Sequence, residues 1–196
     1  GKQAEQSVYI TFAEGRIYLA TAQALTADLN RPAMERLRLL LDETRAEVGG
    51  VNAGLTGEPV LELDDGSHIS DSVAICRYFE YLHPQPALFG LPGQDMARVE
   101  MWNRRMEFEL FWPIANVFRH IHPFFKGKHP QVPEYGEVSR AYALKRLDWL
   151  DGELADGRPF IAGDRYTIAD ITALCGIDFG RISGIRIGER PHLTRW

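Results

Sequence analysis

Only two cysteines, Cys76 and Cys175, occur in 196 residues, far apart and each inside an apolar helical pattern. That excludes a disulfide framework of the secreted kind and predicts two free, buried thiols in a reducing compartment. No run of about 18 apolar residues occurs, so no helical membrane span is expected. The polar opening Gly1-Lys2-Gln3-Ala4-Glu5-Gln6 lacks the apolar stretch of a secretory signal, which leaves the cytoplasm as the expected location. Positive charge is scarce as well: Lys and Arg number 22 against 27 Asp and Glu, for a net charge of -5. The longest basic cluster is Lys126-Gly127-Lys128-His129. A nucleic-acid or anionic-membrane surface needs a concentrated cationic face to displace counterions, so neither partner is expected.

What is present is the composition of a folding chain, with 45% hydrophobic and 25% charged residues. Residues 7–12 and 16–21 are β-branched and aromatic runs around Ala13-Glu14-Gly15, the pattern of a hairpin. From Pro32, apolar Met34, Leu37, Leu40 and Leu41 recur at helical spacing. After a Gly-rich bend, Val60-Leu61-Glu62-Leu63 alternates in strand fashion, and Asp64-Asp65-Gly66 turns it into His68-Ile69. Ser70-Asp71-Ser72 then opens a helix with an apolar face of Val73, Ile75, Cys76, Tyr78, Phe79 and Leu82.

Beyond His83-Pro84-Gln85-Pro86 the pattern is helical throughout. Residues 94–122 form one long amphipathic run that Trp112-Pro113 should kink or divide. Residues 123–135 hold three prolines and read as an extended loop. A helix from about Glu137 to Ala155 follows, with Tyr142, Leu144, Leu147, Leu150 and Leu154 on its apolar side. Thr167-Ile168-Ala169-Asp170 is a capping box that starts a core helix carrying Ile171, Leu174, Ile177 and Phe179. The expected domains are 1–83, a linker at 84–93, and an all-helical 94–196.

Two places could carry chemistry. A proline entering an edge strand after Gly57-Glu58 is a candidate cis peptide, which would turn the backbone at Glu58 outward to pair with an extended peptide. The helix start at Asp71-Ser72 offers N–H groups and a positive dipole end to that peptide's carboxylate, and Asp71 offers an anion to its amine. The plainer reading is that Ser70, Asp71 and Ser72 only cap the helix. His120, His122 and His129 have the spacing of no compact metal-ligand set, so no metal is expected. Trp112, Phe118, Phe124 and Phe125 suit either an apolar pocket or ordinary core packing.

The segment 57–79, Gly-Glu-Pro-Val-Leu-Glu-Leu-Asp-Asp-Gly-Ser-His-Ile-Ser-Asp-Ser-Val-Ala-Ile-Cys-Arg-Tyr-Phe, resembles the glutathione-binding segment of the glutathione transferases. Phe160-Ile161-Ala162-Gly163-Asp164-Arg165-Tyr166-Thr167-Ile168-Ala169-Asp170 is similar to the family's C-terminal core helix, and the likeness covers about residues 51–196. It implies an α/β thioredoxin-like N-terminal domain, irregular here, followed by an all-α C-terminal helical bundle. It implies glutathione as co-substrate, paired to the backbone of Glu58 before Pro59 and held at its γ-glutamyl end by Asp71 and Ser72. It also implies a homodimer that conjugates the thiol to a small hydrophobic electrophile.

The chain departs from the family in its first 50 residues. Ala27-Asp28-Leu29-Asn30-Arg31 lacks the Tyr, Ser or Cys that activates the thiol in most classes. Between Glu43 and Val60 the chain is too short for the second strand and helix. Either the hairpin near the N-terminus takes the open edge position, or a stretch is missing. The chain resembles an atypical bacterial and fungal subgroup that lacks that hydroxyl, and the resemblance implies a histidine and bound water from the first C-domain helix, which makes His120, beside Arg119, the catalytic candidate. A histidine at a helix end also serves simply as a partner of the helix dipole. A non-catalytic binding or regulatory protein stands as the alternative, as does a glutathione-dependent isomerase, dehalogenase or peroxidase on the same scaffold.

Overall fold

The computed structural model describes residues 7–13, 16–22, 51–53, 59–63 and 65–196. The chain divides into two compact units, Gly1–Ala87 and Leu88–Trp196. In the first, β1 (Ser7–Ala13) and β2 (Arg16–Ala22) pair antiparallel with Ala13 opposite Arg16, as the two β-branched runs predict. The helix expected from Pro32 lies outside the described residues.

A second sheet has the order β3 (Val51–Ala53), β4 (Pro59–Glu62), β5 (His68–Ser70), with both pairings antiparallel. The sequence pattern shows only a bend where β3 lies, because three residues are too few to establish a period of two. β3 also corrects the expectation that Pro59 enters an edge strand. β4 is flanked on both sides, with Ala53 opposite Pro59 and Val60 opposite Ser70. Glu58 and its bond to Pro59 lie outside the described residues. The turn into β5 is closed by the N–H of Gly66 on the carbonyl of Leu63 at 2.9 Å. Gly66 has φ +79°, a conformation that suits glycine.

Helix α1 (Ser72–Leu82) buries Ile75, Cys76 and Phe79. Leu82 ends up exposed and Val73 and Tyr78 half-buried, so the buried stripe is narrower than the apolar pattern.

The second unit begins with α2 (Gln94–Arg105), which runs through a π-helical stretch, Met106–Phe111, into α3 (Trp112–Ile121). Pro113 neither breaks nor divides this run. Lacking an N–H, it cannot bond the carbonyl one turn back, and the wider π turn accommodates the gap. The Trp112 N–H reaches the carbonyl of Glu107, five residues earlier.

A short 3-10 turn, Pro123–Phe125, precedes α4 (Pro133–Glu153). The expected extended loop is thus partly helical, and α4 starts earlier than its apolar pattern, with Pro133 in the first turn where a missing N–H costs nothing. Its buried residues are Gly136, Ser139, Ala143, Leu147 and Leu150, whereas Tyr142 and Leu144 are exposed. α5 (Ile168–Gly180) is the bundle's central helix, burying Ile168, Ala169, Asp170, Ile171, Ala173, Gly176 and Gly180, with Leu174 exposed. A five-residue helix, α6 (Pro191–Arg195), carries no periodic signal of its own.

The core of this unit joins Met106, Leu110, Ile114 and Val117 to Leu147, Leu150 and Ala173. At its edge Trp102 stacks on Trp149 with ring centres 5.6 Å apart. Arg146 lies 3.8 Å over the Trp149 ring and Arg158 lies 4.8 Å over that of Trp102. Among the described residues, no helix is long and apolar enough to cross a membrane.

Candidate functional site

Asp71 precedes α1 with φ 76° and ψ 126°, and it is the one described non-glycine residue at positive φ. Such backbone costs on the order of 1–3 kcal/mol for an L-residue and persists only where its surroundings impose it. One part of that imposition is visible. Its Oδ1 accepts from the N–H groups of Val73 at 2.9 Å and Ala74 at 3.1 Å, while its carbonyl accepts from Ile75.

Three of the first four N–H groups of the helix are thus satisfied from Asp71, and the N–H of Ser72 has no acceptor within the helix. Asp71 is exposed and Ser72 half-buried. α1 has no acidic side chain in its first turn, and the Asp71 carboxylate offsets its positive end. An anion can meet the Ser72 N–H and hydroxyl, and the second oxygen of Asp71 can meet a cation. Capping and binding are compatible uses of this turn.

Cys76, one turn further along, is buried, which pushes its thiol up to about 12, helped by the Asp71 and Glu80 carboxylates. It is a packing residue with no nucleophilic character at neutral pH. Cys175, expected buried, is half-buried on α5.

In the second unit, His120 sits at the end of α3 and is half-buried. Its Nδ1 accepts from the N–H of Val132 at 3.2 Å, a partner the sequence pattern does not reveal. The Tyr135 ring meets it edge-on at 5.1 Å, and the His129 ring lies 6.2 Å away. His122 also accepts a backbone N–H at Nδ1, from Phe124 at 3.2 Å. Gln131 donates to the carbonyls of Arg119 and His122, both at 3.0 Å, tying the loop to the end of α3.

The four aromatic residues that suit either a pocket or core packing are not all together. Phe118 meets Phe125 at 5.2 Å and Phe124 at 6.1 Å, and it also meets Phe179 of α5 at 5.1 Å. Trp112 is exposed, with Arg119 over its ring at 6.0 Å. Phe179 could have been anticipated from its place in the core helix. That Phe118 would bridge Phe179 and the Phe124-Phe125 turn could not, because 54 or more residues separate the two sides in the chain.

Comparison with known proteins gives consistent results. Residues 114–196 match the family described as glutathione S-transferase, C-terminal domain. Over 142 residues the chain is 36% identical to glutathione S-transferase 2 of Saccharomyces cerevisiae, covering 70% of this chain and 59% of the yeast protein. It is 30% identical over 142 residues to probable elongation factor 1-gamma 1 of Arabidopsis thaliana, covering 70% of this chain and 33% of that protein. The chain thus spans well under two thirds of the length of these curated relatives. The crystal structure of Gtt2 from Saccharomyces cerevisiae superposes with a TM-score of 0.66 at 34% identity, covering 74% of this chain and 71% of that one. With the matched C-terminal domain, the capped helix start at Asp71 and the bundle around α5, these likenesses place the chain in the glutathione S-transferase family.

Proposed function

We propose that the protein is a cytoplasmic glutathione transferase that joins the glutathione thiol to small hydrophobic electrophiles. The backbone of Glu58 before Pro59 pairs with the cysteinyl unit. Asp71 and Ser72 hold the γ-glutamyl end: the α-carboxylate meets the Ser72 N–H and hydroxyl, and the α-amino group meets the Asp71 carboxylate. The observation that carries this reading is the turn at Asp71, whose strained backbone and capping carboxylate leave the Ser72 N–H available at the positive end of α1.

His120 is the candidate for activating the thiol, by way of a water that its ring orients. The thiol proton passes through water to solvent, the sulfur bonds to the electrophilic carbon, and the leaving group departs with its electron pair. The cluster of Phe118, Phe124, Phe125 and Phe179 supplies apolar surface for the electrophile. The working protein is a homodimer, a reading supported by exposed Met101, Phe108 and Trp112 at helical spacing along one continuous run.

Calorimetric titration with glutathione tests the binding half. The expected result is saturable binding that Asp71→Ala or Ser72→Ala weakens about tenfold, the loss of roughly one charge-assisted hydrogen bond. Folded protein that ignores glutathione would overturn it. Conjugation with a halonitrobenzene tests the catalytic half.

A second reading has its own support. Ala27-Asp28-Leu29-Asn30-Arg31 carries no Tyr, Ser or Cys, and one relative bears the name probable elongation factor 1-gamma 1. On that reading the chain is a binding or regulatory protein on the same fold. It would retain glutathione and show no rate above the uncatalysed background.

A further inference from the structure

We propose that Tyr135 is the positioning residue for His120, holding the imidazole on its bond from Val132 so that Nε2–H meets the water or sulfur; this rests on the reading of His120 given above. Because Nδ1 accepts from Val132, the neutral ring carries its proton on Nε2. Nδ1 is thereby used up, and Nε2–H is what the ring can present. His120 is then a hydrogen-bond donor that steadies a water oxygen or a thiolate, and it takes no proton from the thiol.

One hydrogen bond leaves the imidazole able to swing about it. The edge-on ring of Tyr135, 5.1 Å away at an interplanar angle of 86°, removes that freedom. Tyr135 is itself 49% exposed, and a half-exposed tyrosine has rotamers to lose. Its hydroxyl is held by Asn116, whose Nδ2 donates to it at 3.2 Å. Asn116 lies one turn before His120 on the same face of α3. The chain Asn116, Tyr135, His120, Val132 therefore closes a small circuit between α3 and the start of α4.

The helices also meet closely at this point. A methyl group on Gly136 would run into the Ile121 side chain and lie 3.3 Å from Cβ of His120. The neighbour of Tyr135 is thus pressed against the residues it orients. A tyrosine needed only for packing would not require an amide holding its hydroxyl at the surface.

The test is a double-mutant cycle in conjugation of glutathione to a halonitrobenzene, using H120A, Y135A, the double variant and Y135F, each verified as folded by circular dichroism. Y135A should lower kcat about tenfold with the KM for glutathione within about twofold, and should add nothing in the H120A background. Y135F, which keeps the ring but loses the bond from Asn116, should restore only part of the rate. Nitrogen NMR of the imidazole gives a second readout: the Nε2–H tautomer alone in the parent protein, and a mixture in Y135A. If H120A runs at the parental rate, the reading of His120 falls and this proposal with it. If H120A is slow while Y135A is fast, or the two losses multiply, or the tautomer is unmoved in Y135A, this proposal alone is overturned.

Discussion

The carboxylate of Asp170 accepts a hydrogen bond from the indole Nε1 of Trp196 at 3.1 Å, joining residues 26 positions apart. The same oxygen takes the N–H of Ile161 at 2.8 Å, and the other takes the N–H and hydroxyl of Thr167 at 2.9 and 3.0 Å. Asp170 is 1% exposed. A buried carboxylate on four donors is a structural clamp, because each donor would be orphaned without it.

Asp170→Ala is therefore expected to cost about 3 kcal/mol or more, well above the usual effect of a single substitution. Asp170→Asn should cost nearly as much, since its amide nitrogen would face N–H groups. Urea unfolding checks this through a lower midpoint at unchanged slope. A midpoint within error of the parent would show that the clamp is redundant.

Two glycines should respond in opposite directions. At Gly176 an added Cβ would lie 3.2 Å from the Phe111 ring and 3.3 Å from its Cα, where α5 meets the π-helical stretch. Gly176→Ala should destabilise by about 1–3 kcal/mol. Gly152, inside α4, has open space around it, and Gly152→Ala should stabilise by about 0.5–1 kcal/mol through helix propensity. Thermal melts of the two variants side by side decide it.

At Asp71, two effects of substitution oppose each other. Alanine loses the cap and keeps the strain, so Asp71→Ala should cost about 1–2 kcal/mol. Glycine loses the cap and relieves the positive φ, so Asp71→Gly should be the more stable of the two. Both should weaken glutathione binding. Equal melting temperatures for the pair would contradict the strain argument.

Cys76 sets a pH dependence. Burial, with the Asp71 and Glu80 carboxylates, raises its folded value to about 12, above the unfolded thiol. Its contribution to stability is full below the unfolded pKa and is lost as pH rises from about 9 toward 12. The parent should lose stability across that window more steeply than Cys76→Ala. Disulfide reagents at neutral pH should leave Cys76 unmodified until the protein unfolds.

By itself the sequence determined the parts whose cause is local. The β1–β2 hairpin, the Gly66 turn, the cap at Asp71 and the box at Thr167-Asp170 each depend on residues within a few positions of one another, and all are where the pattern puts them. Tertiary structure decided what depends on distant partners. Strand β3 exists because β4 pairs with it, and the run through Pro113 stays helical because a packed bundle favours a π turn over a break. Which apolar residues are buried was decided the same way: Leu174 and Tyr142 carry the right chemistry yet face away from the core. The bond from Val132 that sets the His120 tautomer belongs here too, since hydrophobic periodicity holds no record of a main-chain donor twelve residues away.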